Sequence, residues 1–279
     1  MPTAQRNGAE VYYEVRGNGP PLVLVEGLGY GLWMWRGQSP ALEGKFRLLL
    51  VDNRGVGRSS PLTGPYSMEG FARDVLAVLD AEGVDRATVL GASMGGAIAQ
   101  ALAALAPERV SAMVLACTTP GGPTAKPMPP ATFAEVTRKV PNESEPDRLR
   151  RTMGIAMTPE FPREHAREVD AIVADRLASP TDPTQWMFQA LSSATFDACA
   201  SNARLSVPAL ITAGTEDRVL PWANSLLLYR MIPHASLALF RGQNHLHLIE
   251  RATEFNELVS RFLDSVARGA LEIGVEEVR

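Results

Sequence analysis

Cysteine is nearly absent from the 279 residues, which hold only Cys117 and Cys199. The two stand far apart in unlike contexts, which excludes a disulfide scaffold. Two buried free thiols are expected instead, in a reducing compartment. Long apolar runs are missing too. The richest Ala/Leu/Val stretch is interrupted at Pro107-Glu108-Arg109, so no segment is expected to span a membrane. The opening, Met1 to Gly8, lacks the apolar core of a signal peptide, and a cytoplasmic protein is expected. No one sign of charge dominates: the formal net charge is -4, acidic and basic residues are interspersed, and no basic patch points to nucleic acid. Aromatics are few, at 6%, yet hydrophobic residues make up 46%, enough for a sizeable core.

What is present is an alternation of short apolar runs and helical patterns. Val11 to Val15 is β-prone and bounded by Gly8 and Gly17, as in an early antiparallel strand or hairpin. Pro21 to Val25 and Phe46 to Val51 are continuously apolar, as expected of strands buried on both faces of a mostly parallel sheet. Ser67 reads as a helix N-cap before the stripe Phe71, Val75, Val78 and Leu79. Ala87 to Leu90, a helix to about Ala106 and the strand Val110 to Ala116 follow. This rhythm predicts a doubly wound, mostly parallel α/β sheet. Residues 120–205 differ. A Pro/Gly loop opens them, and helical patterns broken at Pro141, Pro159, Pro162, Pro180 and Pro183 follow without a convincing strand. The sheet resumes at Val207 to Thr212, a helix covers Trp222 to Ile232, and Ala235 to Phe240 is expected to be the last strand. Glu250 to Val266 is a closing helix, and the charged tail beyond Arg268 is expected to fray.

The stretch with the clearest chemistry is Gly91-Ala92-Ser93-Met94-Gly95. A serine on so tight a strand-to-helix turn has a strained backbone, and only small residues fit two positions to either side. The turn lifts the hydroxyl out of the sheet. It leaves the Met94 N–H at a helix N-terminus, where an oxyanion is stabilised.

This stretch resembles the nucleophile elbow of the α/β-hydrolase superfamily. Three further segments carry the resemblance: Asp52-Asn53-Arg54-Gly55-Val56-Gly57-Arg58-Ser59, the acid turn Gly214 to Pro221, and Asn244-His245. The resemblance implies an α/β-hydrolase fold, with a core of residues 1–119 and 206–279 and a helical cap of residues 120–205. It also implies a catalytic set of Ser93, Asp217 and His245, in the family's chain order. A serine hydroxyl needs an adjacent base, and the base needs a third group to orient it.

Four histidines compete for the base. His165 lies in a charged stretch and His234 in a turn, both read as structural. His245 is preferred to His247 because it stands closer to the strand end, with Glu250 at the family's spacing. Asn244 occupies a position where the family commonly has glycine. The oxyanion hole is assigned to the N–H groups of Leu28 and Met94. Glu26 replaces the family's usual histidine, and its carboxylate is expected to hydrogen-bond within the loops, with Arg54 as one partner. Facing the pocket is the alternative. Trp33, Met153, Met157, Trp186 and Phe188 are expected to line the substrate site. No cofactor or metal is expected. The implied activity is hydrolysis of small to medium apolar carboxylic esters or lactones through an acyl-enzyme. Alternatives are a cofactor-free perhydrolase, a carbon–carbon bond hydrolase, or a binding protein on the same fold. The last two weaken respectively because Leu246, not tryptophan, follows His245, and because the Ser, His, Asp set is intact. The partner is then a small molecule, and a homodimer is compatible with the sequence.

Overall fold

The apolar runs form the centre of a nine-stranded sheet in a computed structural model that describes residues 2–278. Its strands are β1 (Thr3–Arg6), β2 (Ala9–Arg16), β3 (Pro21–Val25), β4 (Arg47–Val51), β5 (Ala87–Ala92), β6 (Val110–Ala116), β7 (Ala209–Gly214), β8 (Ala235–Phe240) and β9 (Val275–Val278). The spatial order is β1-β2-β4-β3-β5-β6-β7-β8-β9. The pairs β1/β2 and β2/β4 are antiparallel, and every later pair is parallel. The chain winds outward from β3 to β4, then crosses back to β5. Such a reversal opens a crevice at the carboxyl ends of the strands, where this architecture binds ligands.

Early helices are α1 (Ser39–Leu42), α2 (Met68–Ala81) and α3 (Met94–Leu105). Ser67 caps α2 as expected, its hydroxyl accepting the Gly70 N–H at 3.0 Å. Between β6 and β7 lie α4 (Pro130–Thr137), α5 (Glu145–Ala156), α6 (Phe161–Glu164), α7 (Ala166–Ala178), α8 (Pro183–Ala194) and α9 (Cys199–Asn202). Pro162 and Pro183 each sit in the first two positions of a helix, so these breaks are helix starts. The closing helices are α10 (Ala223–Met231), α11 (His247–Glu250) and α12 (Ala252–Ala267). Helices α2, α3 and α10 cover one face of the sheet, and α1 and α12 the other.

Two expectations need correction. The tail does not fray: β9 pairs with β8 from Leu237–Val275 to Phe240–Val278, and Arg261 grips Glu276 at 2.7 Å. Its charged residues suit an exposed sheet edge, where charge discourages further pairing. Both cysteines are free, but only Cys117 is buried. Cys199 is partly exposed at the start of α9. Among the described residues no helix is long and apolar enough to cross a membrane.

Candidate active site

Ser93 stands between β5 and α3 at φ 54° and ψ -115°, a conformation that strains any residue with a side chain. Its neighbours explain how the turn survives. A Cβ on Gly91 would collide with the Gly95 carbonyl, and one on Gly95 with the Val25 carbonyl. The turn is also stitched to the end of β6. The Ser93 N–H donates to the Ala116 carbonyl at 2.8 Å, and the Thr118 hydroxyl donates to the Ser93 carbonyl at 2.7 Å. Met94 opens α3, where the helix supplies its N–H with no acceptor and its dipole favours negative charge.

Asp217 and His245 follow β7 and β8 and meet at 2.8 Å, Oδ2 to Nδ1. The other carboxylate oxygen accepts the N–H groups of Val219 and Leu220, each at 2.8 Å, so the acid is held on both sides. Burial disfavours the His245 imidazolium, but Asp217, with a further contribution from Cys117, more than offsets this. The pKa stands well above 6.5. Cys117 follows β6 directly after Ala116, the residue that receives the Ser93 N–H. Ser93 is half-buried, and no hydrogen bond joins it to His245 in this structure.

The other histidines have different surroundings. His247 is wholly buried, with its Nε2 2.9 Å from the Thr212 hydroxyl and its ring 4.8 Å from that of Phe240. Burial lowers its pKa to about 4. His165 is exposed and stacks on Phe161, and His234 is exposed in the turn before β8.

The loop after β3 lies against the serine. A Cβ on Gly27 would stand 3.3 Å from that of Ser93. The next residue, Leu28, packs against the core on the α3 side, as does Phe188 of α8. Glu26 is wholly buried and accepts the Asn53 N–H at 2.7 Å, while the Asn53 amide donates to the Glu26 carbonyl at 3.1 Å. Its partner is therefore Asn53, not Arg54, which pairs with Asp74 at 3.1 Å. Burial, with Asp52 nearby, holds the Glu26 carboxyl well above the usual range.

The expected pocket residues divide. Met153 and Met157 are buried in the apolar cluster that includes Leu246 and Cys117. Trp186 is 42% exposed and lays its ring edge over Gly29. Trp33 stacks near Tyr30, their centroids 4.9 Å apart, beneath Arg176 of α7. Two surface clefts of about 730 and 370 Å³ contain none of these residues. Among the described residues no group of three His, Cys, Asp or Glu side chains is gathered as a metal site.

A family model described as the alpha/beta hydrolase fold matches residues 20–252. The chain belongs to that family. A putative carbamate hydrolase RutD of Azorhizobium caulinodans is 32% identical to this hydrolase over 269 residues, spanning 95% of this chain and 99% of that protein. The 3-oxoadipate enol-lactonase 2 of Acinetobacter baylyi is 29% identical, over 86% and 87% of the two chains. The crystal structure of the enol-lactonase from Burkholderia xenovorans superposes with a TM-score of 0.82 at 28% identity, covering 94% of this chain and all of that one.

Sequence reading missed two amides that join the helical insertion of this α/β-hydrolase to its core. Gln189 of α8, wholly buried, accepts the Gly29 N–H at 2.9 Å and donates to the Arg54 carbonyl at 2.8 Å. Asn244 donates to the carbonyls of Ile155 and Met157. Gln189 carried one signal, a polar residue amid the apolar pattern of α8. Its partners lie more than a hundred residues away and are not legible in the chain order.

Proposed function

We propose that this hydrolase cleaves small to medium apolar carboxylic esters or lactones through an acyl-enzyme at Ser93. One observation carries the reading: a strained serine beside a helix N-terminus, with a buried His245–Asp217 pair at the ends of nearby parallel strands. In this reaction His245 Nε2 takes the Ser93 proton as Oγ attacks the carbonyl carbon. Asp217 keeps the other ring nitrogen protonated and stabilises the imidazolium. The N–H groups of Met94 and Leu28 receive the oxyanion. The imidazolium then protonates the departing alkoxide, and water, activated by the same histidine, releases the acid and regenerates Ser93.

Residues 120–205 act as a cap that selects the acyl group, with Trp186 laid over Gly29 of the oxyanion loop. A lactone fits the scheme without change, its alcohol remaining tethered to the acyl chain, and enol-lactonases are among the similar proteins. A second reading, carbamate hydrolysis by the same attack, is supported by the putative carbamate hydrolase that matches nearly the whole chain.

The test is labelling by a fluorophosphonate probe, followed by turnover of a panel of short acyl esters, lactones and carbamates. Labelling maps to Ser93, and Ser93→Ala lowers kcat on the preferred substrate on the order of a thousandfold or more with the fold intact. A wild-type protein that resists the probe and turns over none of the panel sinks the proposal.

A further inference from the structure

Helix α5 ends against the loop that carries His245, and that meeting is built from main-chain groups a helix terminus leaves unpaired. The carbonyls of Ile155 and Met157 accept the Asn244 amide at 3.0 and 2.7 Å. The Ala156 carbonyl accepts the Leu246 N–H at 2.9 Å, and the Gly154 carbonyl faces the Arg218 guanidinium at 3.3 Å. One residue further on, Thr158 donates its N–H to Glu250 at 3.0 Å. The terminus of α5 is thus capped by residues on both sides of His245.

Asn244 is the centre of this arrangement. Its Oδ1 accepts the N–H of His245 at 2.8 Å and that of Arg218, next to Asp217, at 3.0 Å. Two carbonyls on one side and two N–H groups on the other admit one amide orientation, and all four hydrogen-bonding positions of the side chain are filled. The residue is 2% exposed, so water is a poor substitute. A glycine, common at this position in the family that the chain resembles, would supply none of these bonds.

We infer that Asn244 is a positioning residue that ties the helical insertion to the base and acid loops, so that the seating of α5 sets the placement of His245. The inference rests on the reading of Ser93, His245 and Asp217 as the reacting groups. It adds that the insertion, which supplies none of them, helps align the base. Asn244 touches no reacting atom and acts only through the His245 and Arg218 main chain.

The experiment compares wild type with Asn244→Gly on p-nitrophenyl acetate, a substrate too small to need the insertion for binding. Misplacement of a base by a fraction of an ångström to 1 Å costs rate, not affinity. The expected result is a fall in kcat of about tenfold to a hundredfold, with KM within about twofold. Amide hydrogen exchange read on the same proteins rises together at residues 154–158 and 244–247. Asn244→Ser, which restores part of the bonding, takes the place of the glycine variant if that one does not fold, and falls less. Unchanged kcat with a lowered Tm overturns the inference, leaving Asn244 a stabilising residue. Faster exchange at 244–247 alone also overturns it, because the amide would then brace only its own loop. Wild type without Ser93-dependent turnover fails the underlying reading instead, and so the two failures are distinguishable.

Discussion

At the turn after β5 no side chain fits at position 91 or 95, whereas the insertion between β6 and β7 reaches the core through long amide side chains. The first region is shaped by exclusion. Carbonyls of Gly95 and Val25 come so close that glycine is required, and Ser93 takes a positive φ because both flanks are pinned. The second is shaped by reach. Gln185 and Gln189 on α8, Asn244 and Glu250 each cross from one unit to the other to satisfy main-chain groups there. Close backbone packing tolerates no substitution and carries its signature in neighbouring residues. Long side-chain ties tolerate more, and their partners are far away in the chain.

The largest break in this comparison is expected at the two histidines. His245→Ala lowers kcat on the order of a thousandfold, while His247→Gln leaves turnover within about tenfold. Their pH signatures differ as well. His245 must lose its proton to act as a base, so the acid limb of kcat/KM stands above pH 6.5, and Asp217→Asn moves it down. In the folded state its raised pKa contributes stability that is complete below 6.5 and is lost as pH rises through the folded value. His247 has the opposite sign. Its pKa of about 4 means that folding excludes a proton, so stability is lost as pH falls from 6.5 towards 4, on the order of 3 kcal/mol in all. Urea unfolding at pH 5 and 7 checks this, since His247→Gln should remove that part of the acid loss. If His247→Ala stops acylation and His245→Ala does not, the assignment of the base is wrong.

Gly95→Ala comes next. Its methyl group meets the Val25 carbonyl, so the turn must shift. A displacement of about 1 Å at Ser93 costs roughly a hundredfold in kcat. A variant with normal labelling by a fluorophosphonate would show that the elbow is looser than its contacts imply.

Within the insertion, buried and exposed residues should separate. Met157→Ala removes a wholly buried side chain and lowers stability by about 2–5 kcal/mol by chemical denaturation. Trp186→Ala, at a 42% exposed ring, leaves stability nearly unchanged and moves the preferred acyl length. One methylene of contact is worth about 1–3 kcal/mol in kcat/KM across a chain-length series. An unaltered profile in that variant removes Trp186 from the substrate site.

The smallest effect is expected at Glu26. Glu26 is wholly buried and its Oε1 accepts the Asn53 N–H, and glutamine keeps an acceptor oxygen of the same reach. Glu26→Gln should change stability by less than about 1 kcal/mol, whereas Glu26→Ala leaves the N–H without an acceptor and costs about 1–3 kcal/mol. The preference between neutral and anionic esters stays unchanged in both, because the carboxyl is wholly buried. A marked gain for anionic esters would place it in the pocket.

Much of this was legible in residue order because it is local. Continuous apolar runs announced the inner strands, and β3, β6 and β8 begin and end at the residues expected of them. The elbow was legible because glycine two residues either side of a serine has a steric cause within five positions. His245 was preferred from its place after a strand, and the structure joins it, not His247, to Asp217. β9 escaped notice, because Val275-Glu276-Glu277-Val278 has a strand's pairing without a buried face. Glu26 does hydrogen-bond within the loops, but with Asn53 in place of Arg54, since nothing in sequence says which of two neighbouring residues turns inward. The sequence by itself determined the inner strands, the strained serine and the order of the candidate groups, all set by backbone sterics and apolar periodicity over a few residues. Only the tertiary structure decided which loops touch, that α5 ends on the His245 loop, and that Gln189 holds Gly29, because those bonds join residues far apart in sequence whose pairing depends on how the sheet is wound.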